Sequence, residues 1–146
     1  MWKLLTFIVA AALLSGCQTA DNTLTTNSTP VAVTRPAASA IAGDMASRLA
    51  EQIGPAGSAT TIKIDKDTSE FATALEAALK GWGYTVATDG KVAKDIKLVV
   101  LDYAVDGFDG QVLARLSTPS IALSRAYTPI AVGAVPASPL SIMQRN

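Results

Sequence analysis

Hydrophobic positions along the chain fall into blocks of different period, and each period predicts a different element. Ile41, Met45, Leu49 and Ile53 recur every four residues, flanked by Ala42, Ala46 and Ala50, which predicts a helix over 39–53. Ser39 serves as its expected cap and Gly54-Pro55 as its stop. Thr60 to Asp65 alternates, with Ile62 and Ile64 on one side, as a half-buried strand does. Phe71, Ala74, Leu75, Ala78, Leu79 and Trp82 return to helical spacing behind Asp67 and Glu70, which form a capping-box pattern, and Gly81 and Gly83 end that helix. Tyr84–Thr88 reads as a short strand. Ile96–Val105 reads as a longer one, its continuous Leu98-Val99-Val100-Leu101 predicting a central position buried on both faces. Gln111–Ser117 and Ile121–Tyr127 follow as further strands, set off by the glycines of 107–110 and by Thr118-Pro119. The order α-β-α-β-β-β-β, with one βαβ crossover followed by hairpins, predicts a small α+β domain over 39–128. Its sheet is expected to be mainly antiparallel with helices on one face. Phe71, Trp82 and Tyr84 are expected in its core.

The ends of the chain depart from this pattern. Leu4–Leu14 is an uncharged run of eleven residues behind Met1-Trp2-Lys3, too short for the roughly 20 apolar residues of a membrane span. It leads into Leu14-Ser15-Gly16-Cys17, which resembles the bacterial lipobox. Residues 1–16 therefore read as a lipoprotein signal peptide and Cys17 as the attachment site of a diacylglyceryl group and an N-acyl chain. Two or three acyl chains at roughly 0.8 kcal/mol per buried methylene anchor stably. Gln18 after the cysteine resembles lipoproteins forwarded to the outer membrane, which predicts a lipid-anchored protein on its periplasmic face in a Gram-negative envelope. Residues 17–38, rich in Thr, Ala and Asn, read as the lipidated N-terminus and a flexible tether. The tail over 129–146 has Pro129, Pro136 and Pro139 among Ile130, Val132, Val135, Leu140, Ile142 and Met143. So apolar a segment is expected to dock, on its own domain or on a partner, and these six side chains are the candidate partner contacts. Deleting the tail is expected to leave a folding domain.

Composition narrows the chemistry. The 146 residues hold 12 Lys+Arg against 12 Asp+Glu, with no His and one Cys. Without His there is no Ser-His-Asp triad, no imidazole base and no His-ligated metal. A lone Cys makes no internal disulfide, and an unpaired thiol converted to a thioether is inert in an oxidising compartment. Balanced charge without a basic cluster argues against direct nucleic-acid binding. Asp102, Asp106 and Asp109 come nearest to a metal or acid-base group, but their spacing around Gly107 and Gly110 is that of turn-forming residues, not of a calcium loop. Lys91, Lys94 and Lys97 are interrupted by Asp95 and read as a solvated hairpin. The inventory predicts no enzyme, no catalytic residue, no metal, no cofactor beyond the lipid on Cys17 and no small-molecule substrate.

Six segments together resemble the conjugal transfer protein TrbH family: the lipobox; Ile41-Ala42-Gly43-Asp44-Met45 running into Leu49-Ala50-Glu51-Gln52; Leu75 through Tyr84; Gly110 through Ser117; Arg125-Ala126-Tyr127-Thr128; and Pro136 through Ser141. The resemblance spans nearly the whole chain. It implies a lipoprotein of the envelope-spanning conjugative type IV secretion (mating-pair-formation) apparatus, bracing the outer-membrane complex through its lipid and through contacts to larger subunits. It carries over no catalytic residue. The alternative is a periplasmic binding lipoprotein that recognises peptidoglycan, a pilus subunit or an exclusion-type surface receptor. A concave polar pocket would favour the alternative, and a filled core with apolar edges the brace.

Overall fold

The computed structural model describes residues 29–30 as backbone, together with 33–55, 60–91, 94 and 96–146; the segment 1–16 that reads as a signal peptide, Cys17 and the chain up to Ser28 lie outside the described residues. In order the elements are β1 (Thr29–Pro30), α1 (Arg35–Ile53), β2 (Thr60–Lys63), α2 (Glu70–Gly81), β3 (Thr85–Ala87), β4 (Lys97–Val100), β5 (Asp102–Phe108), β6 (Gln111–Ser117), β7 (Ile121–Ile130), β8 (Gly133–Pro136) and β9 (Ser141–Gln144). The fold is α+β, and most of its strands are antiparallel. They form a sheet in the order β1-β5-β6-β7-β8, with β9 also on β7, while β3-β2-β4 make a small parallel sheet. The predicted βαβ crossover is β2-α2-β3.

Helix α1 organises the core. Ala37, Ala38, Ile41, Ala42, Met45, Ala46 and Leu49 are all fully buried, so the long side chains run down the middle of a broad alanine-lined face. Small flanking residues let the helix approach both α2 and strands β6, β7 and β8. Burying Ile41, Met45 and Leu49 contributes roughly 1.5–3 kcal/mol each. They meet Val112, Leu116, Leu123 and Tyr127 from the inner face of the antiparallel sheet, Ile62 from the parallel sheet, and Leu75 and Leu79 from α2. The opposite face of the antiparallel sheet carries Asp106 and Arg115, paired at 2.9 Å, in the one-face-wet arrangement common to such sheets.

Several expectations need correction. Helix α1 starts at Arg35, and Thr34, not Ser39, caps it by accepting a hydrogen bond from Ala37 N; Pro36 sits in the first turn, where a missing N–H costs nothing. Ser69, not Asp67, caps α2, and Asp67 in turn accepts from Ser69 N and Oγ. Gly54 closes α1 at φ 89°, a conformation that favours glycine, and its carbonyl accepts a 2.5 Å hydrogen bond from Tyr84 Oη. Phe71 and Tyr84 are core residues, but Trp82, the cap residue of α2, is 51% exposed.

The run Ile96–Val105 is two strands in two sheets. It breaks at the buried Leu101, whose N–H donates to Lys63 O at 2.9 Å. Strand β4 is an edge and β2 is the centre, so Leu98 and Val100 remain partly exposed instead of buried on both faces. Of the two docking sites open to the tail, it takes its own domain. Strand β7 continues to Ile130, β8 folds back on Tyr127–Ile130, and β9 pairs with Ile121–Ser124. Ala134 and Leu140 pack against the core. Both α1 and the tail are thus integral to their own domain.

Candidate functional site

The densest polar cluster joins three segments that lie far apart in the chain. Asp44 projects from α1 toward β7, where its Oδ2 accepts hydrogen bonds from Arg125 Nη1 at 2.9 Å and Tyr127 Oη at 2.6 Å. Arg125 Nε donates to Ser138 O at 3.0 Å, and Ser138 Oγ accepts from Ala126 N at 2.9 Å. Arg48, one turn along the helix, stands 3.5 Å from Asp44 Oδ1. Burial, then the hydrogen bond to Asp44, pushes the Tyr127 hydroxyl well above its ordinary pKa. A carboxylate whose oxygens are so occupied is a clamp between helix, sheet and tail, not a free base. Sequence reasoning passed over it, although Asp44, Arg125, Tyr127 and Ser138 all sit in segments that carry the family resemblance. The available signal was the Asp44–Arg48 pair at i,i+4 beside the apolar stripe of the helix.

The acidic trio of the sequence is not brought together as a catalytic group. Asp102 and Asp106 lie along β5, where Asp106 pairs with Arg115. Asp109 and Gly110 have φ of 47° and 73°, the positive pair that a two-residue hairpin turn requires. Among the described residues no group of three His, Cys, Asp or Glu could hold a metal ion. Lys91, Lys94 and Lys97 are exposed.

The six tail side chains are distributed unevenly. Leu140 packs inward on the core. Val135, Ile142 and Met143 are 45%, 44% and 62% exposed along the β8–β9 edge. Ile130 and Val132 project at the β7–β8 turn. On the wet face of the sheet an open groove of about 310 Å³ is lined by Asp102, Arg115, Ser117, Ser124, Met143 and Arg145, among others. Cys17 lies outside the described residues.

A second polar cluster borders a groove of about 620 Å³ between the start of α2 and the edge of β5. Tyr103 Oη donates to Asp67 Oδ2 at 2.5 Å while its ring tilts against Phe71, centroids 5.6 Å apart. The hydrogen bonds from Tyr103 and then Ser69 hold the Asp67 carboxyl below its usual range. Burial, reinforced by Asp67, pushes Tyr103 up to about 12. The two shifts act at opposite ends of the pH scale. A depressed Asp67 contributes stability that is present above its ordinary pKa of about 4 and lost as pH falls through the lower folded value. A raised Tyr103 contributes stability that is present below about 10 and lost as pH rises toward the folded value. Tyr103→Phe should therefore cost about 1 kcal/mol near neutrality, a modest figure because the pair is solvent-screened. In urea unfolding across the pH range, the gap between wild type and variant should narrow at both extremes. A gap independent of pH would show that the pair contributes nothing.

Comparison with known proteins identifies the family. The sequence pattern of the family described as conjugal transfer protein TrbH matches residues 19–146. A protein of Sinorhizobium fredii (strain NBRC 101917 / NGR234), described as a probable conjugal transfer protein TrbH, is 74% identical over 149 residues, covering all of both chains. No solved structure matches. Matched over nearly its full length by the family pattern and by a full-length relative, the chain belongs to the TrbH family of conjugal transfer proteins.

Proposed function

We propose that this protein is a lipid-anchored structural component of the conjugative type IV secretion apparatus. In this reading Cys17 carries the lipid, the residues after it tether the domain to the periplasmic face of the outer membrane, and the domain braces the outer-membrane complex without catalysing a reaction. The observation that carries the reading is the β8–β9 edge. In a member of a conjugal transfer family, the inner side of that edge is sealed by the Asp44 clamp while Val135, Ile142 and Met143 stand exposed. An exposed strand edge with apolar side chains is a template for a strand from another chain. The filled core beneath it supplies rigidity, which a brace requires.

The test is recovery of the protein from conjugating donor cells, gently solubilised and tagged beyond Asn146. A large envelope assembly should copurify with wild type, and much less with Cys17→Ala. A double variant, Ile142→Lys and Met143→Lys, should keep the lipid yet lose the assembly. A Cys17→Ala protein that stayed membrane-bound and fully transfer-competent would refute the anchor. Recovery of the lipoprotein alone would favour the binding-lipoprotein reading and direct a ligand search to the groove beside Arg115 and Arg145.

A further inference from the structure

The two hairpin tips at one end of the antiparallel sheet hold three exposed apolar side chains. Phe108, before the β5–β6 turn, is 66% exposed; Ile130 and Val132, at the β7–β8 turn, are 43% and 83% exposed. Strand register places both turns together. Gly107 pairs with Val112, Val112 with Tyr127, and β7 then runs on three residues to Ile130, which pairs with Gly133 across the second turn. Asp109 is the single charged residue in 108–110 and 130–133. The opposite end of the sheet is polar, with Asp102, Ser120, Gln144 and Arg145 around the Thr118–Ser120 turn.

The path of the chain says what covers the apolar end. Strand β1 runs antiparallel to β5, Thr29 opposite Gly107 and Pro30 opposite Asp106, so the chain enters the domain from the Phe108 end. Cys17 lies twelve residues before Thr29, a span of at most about 40 Å even when fully extended. The tether joins the domain at the Phe108 end, so a lipid on Cys17 brings this end to the bilayer by the shortest path, without the chain having to run the length of the sheet. Resting on the anchoring reading above, we infer that the Phe108, Ile130 and Val132 end docks on the lipid surface, with Phe108 and Val132 entering the boundary between headgroups and acyl chains. Three side chains bind a bilayer weakly by themselves, but a short tether makes the contact intramolecular and raises their effective concentration. The sheet then stands end-on to the membrane. Its β8–β9 edge faces sideways, where a neighbouring subunit can reach it.

Tryptophan quenching tests the docking separately from the lipid. The full chain, produced in Gram-negative cells and purified from their membranes, carries Trp2→Phe and Trp82→Phe, which remove both of its tryptophans, together with either Val132→Trp or Gln144→Trp at the opposite end. It is reconstituted into phosphatidylethanolamine and phosphatidylglycerol vesicles with brominated acyl chains. Protein whose mass lacks the lipid is first coupled through Cys17, the sole cysteine, to a maleimide-headgroup lipid, so the measurement proceeds whichever way the mass reads. The expected result is about twofold lower emission from position 132 than in unbrominated vesicles, little change at 144, and loss of the quenching at 132 on adding Phe108→Asp. Equal quenching at both positions, or none at either, overturns the docking. Shielding of position 132 by a copurifying protein without lipid quenching overturns it too. The mass alone decides whether cells lipidate Cys17, so the anchor and the docking can fail independently.

Discussion

Asp44→Ala is expected to lower the unfolding free energy by about 3 kcal/mol, the largest effect of any single polar substitution in this domain. The carboxylate accepts from both Arg125 and Tyr127, and the side chains of Asp44 and Arg125 are only 24% and 18% exposed. Alanine leaves a guanidinium in a half-dry seam with Ser138 O as its remaining acceptor there, and leaves the Tyr127 hydroxyl, on a residue that is itself 1% exposed, facing a methyl group. The cost is dominated by these stranded donors and not by the intrinsic worth of the ion pair, which desolvation largely offsets. Asp44→Asn, which keeps an acceptor but loses the charge, should cost about half as much. Replacing Asp44 and Arg125 together by leucine and methionine should recover part of the loss, because no buried charge is then orphaned. For a domain of this size the alanine variant should melt roughly 10 °C lower. A change in urea midpoint equivalent to less than about 0.5 kcal/mol would show that water replaces the carboxylate without penalty.

That clamp also shows where sequence reasoning stops. Helix α2 was legible because Phe71, Leu75 and Leu79 repeat at helical spacing and are indeed buried on one face. Strand β2 is legible through Ile62 and Ile64, both buried, but it ends at Lys63, and as the central strand it buries Thr61 too, where the alternation places it in solvent. The start of α1 was misplaced by four residues because Pro36 reads as linker punctuation in isolation, while in the first turn of a capped helix it is favourable. Ile96–Val105 reads as one strand because an apolar run carries no record of which sheet each half joins; the break at Leu101 is set by the contact with Lys63. Residue type places Trp82 in the core, but it stands at the end of α2 and is half exposed. The site was harder still. Asp44, Arg125 and Ser138 are each unremarkable in sequence, and only tertiary structure brings an acid from the helix to a base 81 residues later. The apolar tail was legible as a segment that must dock. Which of its side chains face inward depended on β7 having ten residues, enough to seat two short strands end to end on one edge.

Deletion of residues 131–146 should therefore abolish cooperative folding, not merely detach a partner-binding tail. The truncation strips β8 and β9 from the outer edge of β7 and breaks their backbone pairing over eight register positions, from Tyr127–Ile130 and Ile121–Ser124. It removes Ala134 and Leu140 from the core and uncovers part of α1, against which Gly133 lies, with space for a Cβ only 3.6 Å from that of Ala40. It also takes Ser138 from Arg125 and from Ala126 N. Together these losses amount to about 5 kcal/mol or more, comparable to the whole stability of a small domain. The truncated protein should show no sigmoidal urea transition and should bind a hydrophobic dye already in buffer. A shorter deletion, 141–146, removes only β9, whose side chains are all exposed, and should leave a cooperative transition at lower urea. The contrast is decisive: if the longer deletion unfolds as cooperatively as wild type, the tail belongs to a partner's structure and the inward packing of Leu140 has no energetic weight. If it collapses while the shorter one folds, β8 and the Ser138 turn are core, and β9 alone is free for exchange with a neighbouring strand.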